Sequence, residues 1–180
     1  MTARQQLSQT EVKRLNRDWR RRTGTRLSLL LDSVGQPFNV GSIIRTAAAF
    51  GAEHIWLCGG TALPGHPSAR KTALGTDRLV SFEHVPSAAT AALAARADGY
   101  RVIAVELAGD AMPLHEAPLR GDICLALGNE DHGCSAALLA AADLLAYIPQ
   151  PGKVGSLNVA AAAAIAIAEV RRQGWAGEPG

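Results

Sequence analysis

Aromatic side chains make up only 4% of the 180 residues, too few for the row of exposed rings on which a non-specific single-strand binder stacks bases. Cysteine is also scarce. Cys58, Cys124 and Cys134 are odd in number and lack a paired metal-ligand spacing. Neither a disulfide framework nor a structural metal is expected, and a reduced, cytoplasmic setting is. No apolar run is long enough to cross a bilayer, and the polar start Met1–Thr10 lacks a signal-peptide core. No G-x-G-x-x-G follows a strand, and there is no Walker loop, no G-x-S-x-G elbow and no H-E-x-x-H. A standard dinucleotide fold, nucleotide hydrolysis, serine esterase and zinc protease chemistry thereby lose their usual signatures. Internal repeats and low-complexity linkers are also missing.

What is present is a hydrophobic content of 48% in a chain of one-domain size, enough for a sizeable core. The charge is unevenly spread. Residues 1–26 hold eight Lys and Arg against two Asp and Glu, leaving ten against fourteen for the rest. A basic arm on a mildly acidic body suits a polyanionic partner, although such arginines also serve solubility alone. Glu11–Arg22 reads as a helix with Val12, Leu15 and Trp19 on one face, and Thr23-Gly24-Thr25 ends it. Strands follow at Leu27–Leu31, His54–Cys58, Arg78–Phe82, Arg101–Glu106, Ile123–Leu127 and Leu144–Ile148. Helices are expected at Val40–Phe50, Ser68–Leu74, Ser87–Ala97, Ser135–Ala142 and Leu157–Arg172, with a loose tail over 173–180. Short apolar strands alternating with helices predict an α/β fold, a mostly parallel sheet with helices on both faces.

Ligands of such sheets bind beyond the carboxyl ends of the strands. Three segments leave strands there with unusual chemistry: Asp32–Asn39, Gly128–Cys134 and Pro149–Ser156. In the first, Asn39 stands at a helix start, placed to cap free amides. Arg45 lies six residues on in a mostly apolar helix, where a guanidinium calls for an anion, either a structural carboxylate such as Asp32 or a ligand. In the second, Gly128 and Gly133 bracket Glu130, Asp131 and His132, a run too short and irregular for a calcium loop. Glu130 there orients a ligand hydroxyl, holds an arginine, or serves as an ordinary residue favoured at a helix N-terminus. In the third, two prolines and two glycines shape a loop that offers bare amides and carbonyls, with Ser156 and Asn158 at its entry into the last helix.

At these residues the chain resembles the SpoU/TrmH family of RNA ribose 2′-O-methyltransferases, within the SPOUT superfamily. Asn39–Ala47 is similar to the family's first motif, Leu127-Gly128-Asn129-Glu130 followed by Gly133 to its second, and Ile148-Pro149, Gly152 and Ser156–Ala160 to its third. Order and spacing agree over roughly residues 27–172. Gln150 departs from the pattern, standing where the family often has methionine. The resemblance implies a C-terminal trefoil knot, a homodimer, and S-adenosylmethionine as methyl donor with no metal. It also implies Arg45, Asn39, Glu130, Ser156 and Asn158 as the catalytic set. Cofactor-binding residues would be Val105, Glu106, Leu127, Gly128, Ile148, Gln150, Ser156 and Leu157. The arm would hold RNA, and the lack of a separate RNA-binding domain favours tRNA over rRNA. Rival readings are a catalytically silent knotted RNA-binding protein and an α/β enzyme of small metabolites.

Guanidinium does not lose its proton in proteins. Arg45 is therefore expected to hold the adjacent phosphate and polarise the hydroxyl, the proton leaving late to water or Glu130.

Overall fold

The computed structural model describes residues 5–176. Helix α1 (Gln9–Arg22) opens at a capping box in which Ser8 and Glu11 bond each other's backbone amides. None of its residues is buried, so the Val12, Leu15 and Trp19 stripe lies open. The arm meets the body through Trp19, whose ring centroid is 4.8 Å from that of Trp175, and through the Trp175 indole N–H, which donates to Thr23 Oγ1 at 2.9 Å.

Then follow β1 (Leu27–Asp32), α2 (Pro37–Ala49), β2 (His54–Cys58), α3 (Pro67–Ala73), a 3₁₀ turn (Thr76–Leu79), β3 (Ser81–Val85), α4 (Ala88–Ala97) and β4 (Arg101–Val105). Next come β5 (Met112–Pro113), β6 (Ile123–Leu127), α5 (Ala136–Ala141), β7 (Leu144–Tyr147) and α6 (Val159–Trp175). The seven strands form one sheet in the order β3-β2-β1-β6-β4-β7-β5, every pair parallel. The expected α/β sheet is present, with three local differences. The strand expected at Arg78–Phe82 starts at Ser81, because Gly75 (φ 78°) turns residues 76–79 into the 3₁₀ turn first. The two-residue β5 carries no apolar period and was not expected. Residues 173–175 are helical rather than loose, since Trp175 packs on Trp19 and Gln173 bonds the Leu119 amide and the Ala117 carbonyl. The last four residues lie outside the described region.

The central strands are buried on both faces, so alternate side chains enter different cores. Leu27, Leu29, Leu31, Ile123, Leu125 and Leu127 pack with Ile43 and Ile44 of α2 and with Ala163 and Ile167 of α6. Leu30, Trp56, Cys124 and Ala126 face the other way, onto Ala88, Ala91, Ala92 and Ala95 of α4 and Leu138 of α5. Each fully buried Leu or Ile contributes about 1.5–3 kcal/mol. Burial also pushes the thiols of Cys58 and Cys124 up to about 12, which leaves them inert as nucleophiles.

Strand order reverses beside β1. The chain runs outward through β2 and β3, then crosses to β4 on the other side of β6. The carboxyl ends of β1, β6, β4 and β7 therefore gather the loops that matter.

Candidate active site

Strand β1 ends at Asp32, and Ser33 turns the chain with φ 60°, unusual for a residue with a Cβ. Its carbonyl accepts a 2.7 Å hydrogen bond from Asn129 Nδ2, tying the first loop to the second. Gly35 and Gln36 then present their amides to Glu130, at 3.0 Å to Oε2 and 3.0 Å to Oε1 respectively. Helix α2 begins at Pro37, preceded by Gln36 with no side-chain cap. Asn39 is thus inside the first turn and 3% exposed, not at the cap position expected from sequence. Proline at the first helical position supplies the start signal, and the Asn39 side chain is free for a longer reach.

That reach makes the site. Asn39 Nδ2 donates to Glu130 Oε1 at 2.9 Å, while Asn39 Oδ1 accepts from Asn158 Nδ2 at 3.0 Å. Asn158 caps α6 in turn, accepting from the amides of Ala160 and Ala161 at 2.9 and 3.3 Å. Three segments separated by up to 119 positions are joined through one buried amide. Burial alone would raise the Glu130 carboxyl, but the bonds from Asn39, Gln36 and Gly35 outweigh it and hold the group below the usual carboxylate range. It is a charged anchor held by three hydrogen bonds, and its lowered value makes it a poor proton acceptor.

The second loop closes on itself. Asn129 and Gly133 exchange both backbone hydrogen bonds at 2.9 Å, and Asn129 Oδ1 accepts from the amides of Asp131 and His132. Gly128 has no room for a side chain, because a Cβ would meet the Gly133 carbonyl group and the Cys134 amide nitrogen. Gly133 combines φ 69° with a wall formed by the Glu106 carboxylate, which accepts from the amides of Cys134 at 2.7 Å and Leu107 at 2.9 Å. Gly128→Ala is expected to lower stability by about 1–3 kcal/mol through overpacking, read as a lower urea midpoint. An unchanged midpoint would show that the loop rearranges freely.

Between these loops lies a cavity of about 360 Å³. Val105, Glu106, Leu127, Gly128, Ile148, Gln150, Ser156 and Leu157 all line it, together with Glu130. Sequence reasoning did not single out Leu107, Tyr147, Val159 or Ala162, which also line it; Leu107 directly follows the strand end already named, Tyr147 sits inside an apolar strand, and Val159 and Ala162 carried no polar signal. The volume falls in the range of small-molecule sites. Its walls combine apolar side chains such as Leu127, Ile148 and Leu157 with polar ones such as Glu106, Asn129 and Glu130, and the Oε1 of Gln150 is shielded from solvent with no hydrogen-bond partner among the described residues. An adenosyl group, with a flat adenine, a polar ribose, and acceptors and an amine along the base edge, fits that mixed lining.

Asn39, which is buried, and Asn158, which is exposed, are not among the residues lining the cavity. Arg45 joins neither wall nor network. It lies about 9 Å along α2 from Asn39 and well round the helix, exposed and without an ion pair among the described residues. Asp32 is not its partner, since Asp32 Oδ2 accepts from the Ser135 amide at 2.9 Å ahead of α5. Among the described residues, no His, Cys, Asp and Glu cluster of metal-binding size occurs.

Comparison with known proteins agrees with this fold. A 23S rRNA (guanosine-2′-O-)-methyltransferase of Acinetobacter baylyi is 34% identical over 148 residues, 82% of this chain and 60% of the relative. The chain therefore spans about 60% of the length of that curated relative. The SpoU methyltransferase AviRb of Streptomyces viridochromogenes, solved with AdoMet, superposes with a TM-score of 0.75 at 31% identity, over 82% of this chain and 57% of that one. A structure from work on 2-OH methylation of a C or U at position 34 of tRNA gives 0.69 at 32% identity, over 83% of this chain and 96% of that one. Residues 26–168, from the first strand through most of the last helix, match the SpoU rRNA methylase family, and the chain belongs to that family.

Proposed function

We propose that this protein methylates the 2′-hydroxyl of an RNA ribose with S-adenosylmethionine as donor. The observation that carries the reading is the Glu130–Asn39–Asn158 relay, which locks the first loop and the last helix against the wall of the cavity. The family and the donor bound by AviRb support it.

When bound, the donor supplies a methyl group already activated on a sulfonium. Leu127, Gly128, Ile148, Gln150 and Leu157 would hold it, with Val105 and Glu106 at the edge. The residues of the chain have two tasks, to orient the hydroxyl and to accommodate its proton. Asn39, Glu130 and Asn158 keep the loops in place, and Ser156, exposed at the cavity mouth, offers a hydroxyl to the incoming ribose. Arg45 grips the neighbouring phosphate as a permanent cation.

The favoured substrate is ribosomal RNA, the RNA named for the Acinetobacter relative. This replaces the tRNA preference drawn from the lack of a separate RNA-binding domain. Transfer RNA stays as the second reading on one observation, the 96% coverage of the chain studied for tRNA methylation. Nucleoside mass spectrometry of both RNA pools, from cells with and without the protein, tests this. Loss of a 2′-O-methyl nucleoside from rRNA alone supports the first reading, loss from tRNA alone the second, and no loss from either counts against both.

The basic arm captures the RNA backbone in this scheme. Deleting residues 1–24 is expected to weaken RNA binding and flatten its salt dependence, with cofactor affinity unchanged. An unchanged salt slope would remove the arm from the interface. We also infer a trefoil knot over β7 and α6 and a homodimer that buries the apolar groove of Ile148, Pro149, Ile165 and Ala168. The late strands β6 and β7 inserted beside β4, and Ile165 left 43% exposed on α6, support these inferences. A crystal structure showing an unthreaded chain, or light scattering showing a monomer, would refute the respective part.

A further inference from the structure

Helix α2 turns one stripe to solvent, Phe38, Ser42, Arg45 and Ala49, at helical spacings of four, three and four. Phe38 and Arg45 therefore share a face, about 10 Å apart along the axis. The chain has three Trp, two Tyr and three Phe, and Phe38, 63% exposed, is the barest of them. A lone exposed apolar residue needs no explanation, but the surroundings of this one set it apart. Helix α3 and the 3₁₀ turn pack on α2, and Thr72 Oγ1 lies 3.3 Å from the Phe38 carbonyl oxygen. Gly41 permits that approach, because a Cβ there would meet Thr72 Oγ1 and the Ala69 carbonyl. The two segments add exposed Arg70, Lys71 and Arg78 to Arg45, against the single carboxylate of Asp77. None of these four cations forms an ion pair among the described residues. Phe38 also directly precedes Asn39, the buried link to Glu130 in the cavity wall.

Resting on the RNA reading above, we propose that Phe38 stacks on the base of the nucleotide whose ribose is methylated, with Arg45, Arg70, Lys71 and Arg78 holding the phosphates around it. A nucleotide drawn into the cleft loses its stacking neighbours, and an aromatic ring beside the cleft replaces them. A bare ring framed by unpaired cations suits a polyanion that carries flat apolar groups, which is the chemistry of single-stranded RNA. A two-fold contact with a second copy would instead set these cations against themselves. Every base offers a π-face, so the ring places the nucleotide without reading its identity. Phe38 is then a substrate-binding residue, fixed by the packing of α3 on α2 and next in sequence to the relay.

The test is steady-state methyl transfer from S-adenosylmethionine to total RNA of cells lacking the protein, with wild type, Phe38→Ala, Phe38→Leu and Phe38→Trp. Alanine and leucine are expected to raise the KM for RNA by roughly fivefold to a hundredfold, the range of one lost base stack, and tryptophan to keep it low. Calorimetry with S-adenosylhomocysteine and the denaturation midpoint should match wild type in all three variants, because Phe38 neither lines the cavity nor is buried. The salt slope of RNA binding should be unchanged in the Phe38 variants and flatten when Arg70→Ala is combined with Arg78→Ala, since only the cations displace counterions. An unchanged KM in Phe38→Ala would overturn the proposal. So would leucine serving as well as tryptophan, which would make the ring mere apolar surface. A change of oligomeric state in Phe38→Ala, read by light scattering, would assign the ring to a contact between copies and overturn it equally. If wild type methylates no RNA, the functional reading fails and this inference with it; equal KM values beside an active wild type sink only the role of Phe38.

Discussion

Arg45→Ala is expected to reduce methyl transfer by about 10² to 10³-fold, the usual cost of removing a group that stabilises developing charge. Folding and cofactor binding should be untouched. The side chain is exposed and makes no ion pair among the described residues, so its loss leaves nothing buried and unpaired. It lines no part of the cavity, so S-adenosylhomocysteine should bind with wild-type affinity. Arg45→Lys separates charge from shape. A guanidinium presents a planar fork to a phosphate, and an ammonium presents a point charge. Lysine is therefore expected to recover only part of the rate, within about tenfold of alanine. Single-turnover kinetics with calorimetry decides the matter. Near-normal turnover in the lysine variant would mean that fork geometry is unimportant, and near-normal turnover in the alanine variant would take Arg45 out of the mechanism.

Glu130→Gln should produce the second largest effect, on rate and stability together. The carboxylate accepts from three donors at 2.9 to 3.0 Å, and a carboxamide of the same shape turns one end into a donor facing a donor. Bonds to a charged acceptor contribute about 1.5–3 kcal/mol each when shielded, and part of that returns here because Gly35 and Gln36 can bond water. A net loss of about 2 kcal/mol is expected, with turnover down by about 10²-fold as the first loop drifts from the last helix. Asn39→Ala should give a similar phenotype and, combined with Glu130→Gln, add little further, because both break one relay. Additive losses would show that the two side chains act separately.

The same carboxylate gives a pH signature. Its folded-state value lies below the ordinary one, so it contributes stability that is complete above the unfolded carboxyl value of about 4.3 and is lost as pH falls through the lower folded value. Wild type and Glu130→Gln should therefore differ in denaturation midpoint at neutral pH and converge in acid. A gap that stays constant into acid would contradict the assignment.

Much of this was legible in the chain. Short apolar strands between alanine-rich helices announce a covered parallel sheet, and the Pro/Gly-rich exits from β1, β6 and β7 mark its working edge. All eight residues expected around the cofactor line one cavity. What could not be read was connection over distance. Nothing local in Asn39 says that its amide bridges Glu130 and Asn158 rather than capping its own helix, because that depends on where loops 91 and 119 positions away return. The unfilled Gln150 oxygen is invisible for the same reason, since satisfaction is a property of the neighbourhood. Strand β3 was misplaced because a left-handed glycine redirects the chain before it, and the two-residue β5 has no period to detect.

The most direct test of the central claim is methyl transfer from deuterated S-adenosylmethionine by the purified protein to total RNA lacking its own modification, followed by nucleoside mass spectrometry. Label on the ribose of a 2′-O-methyl nucleoside, lost in Arg45→Ala, is the predicted result. Label on a base, or no label beside a properly folded protein, would contradict it.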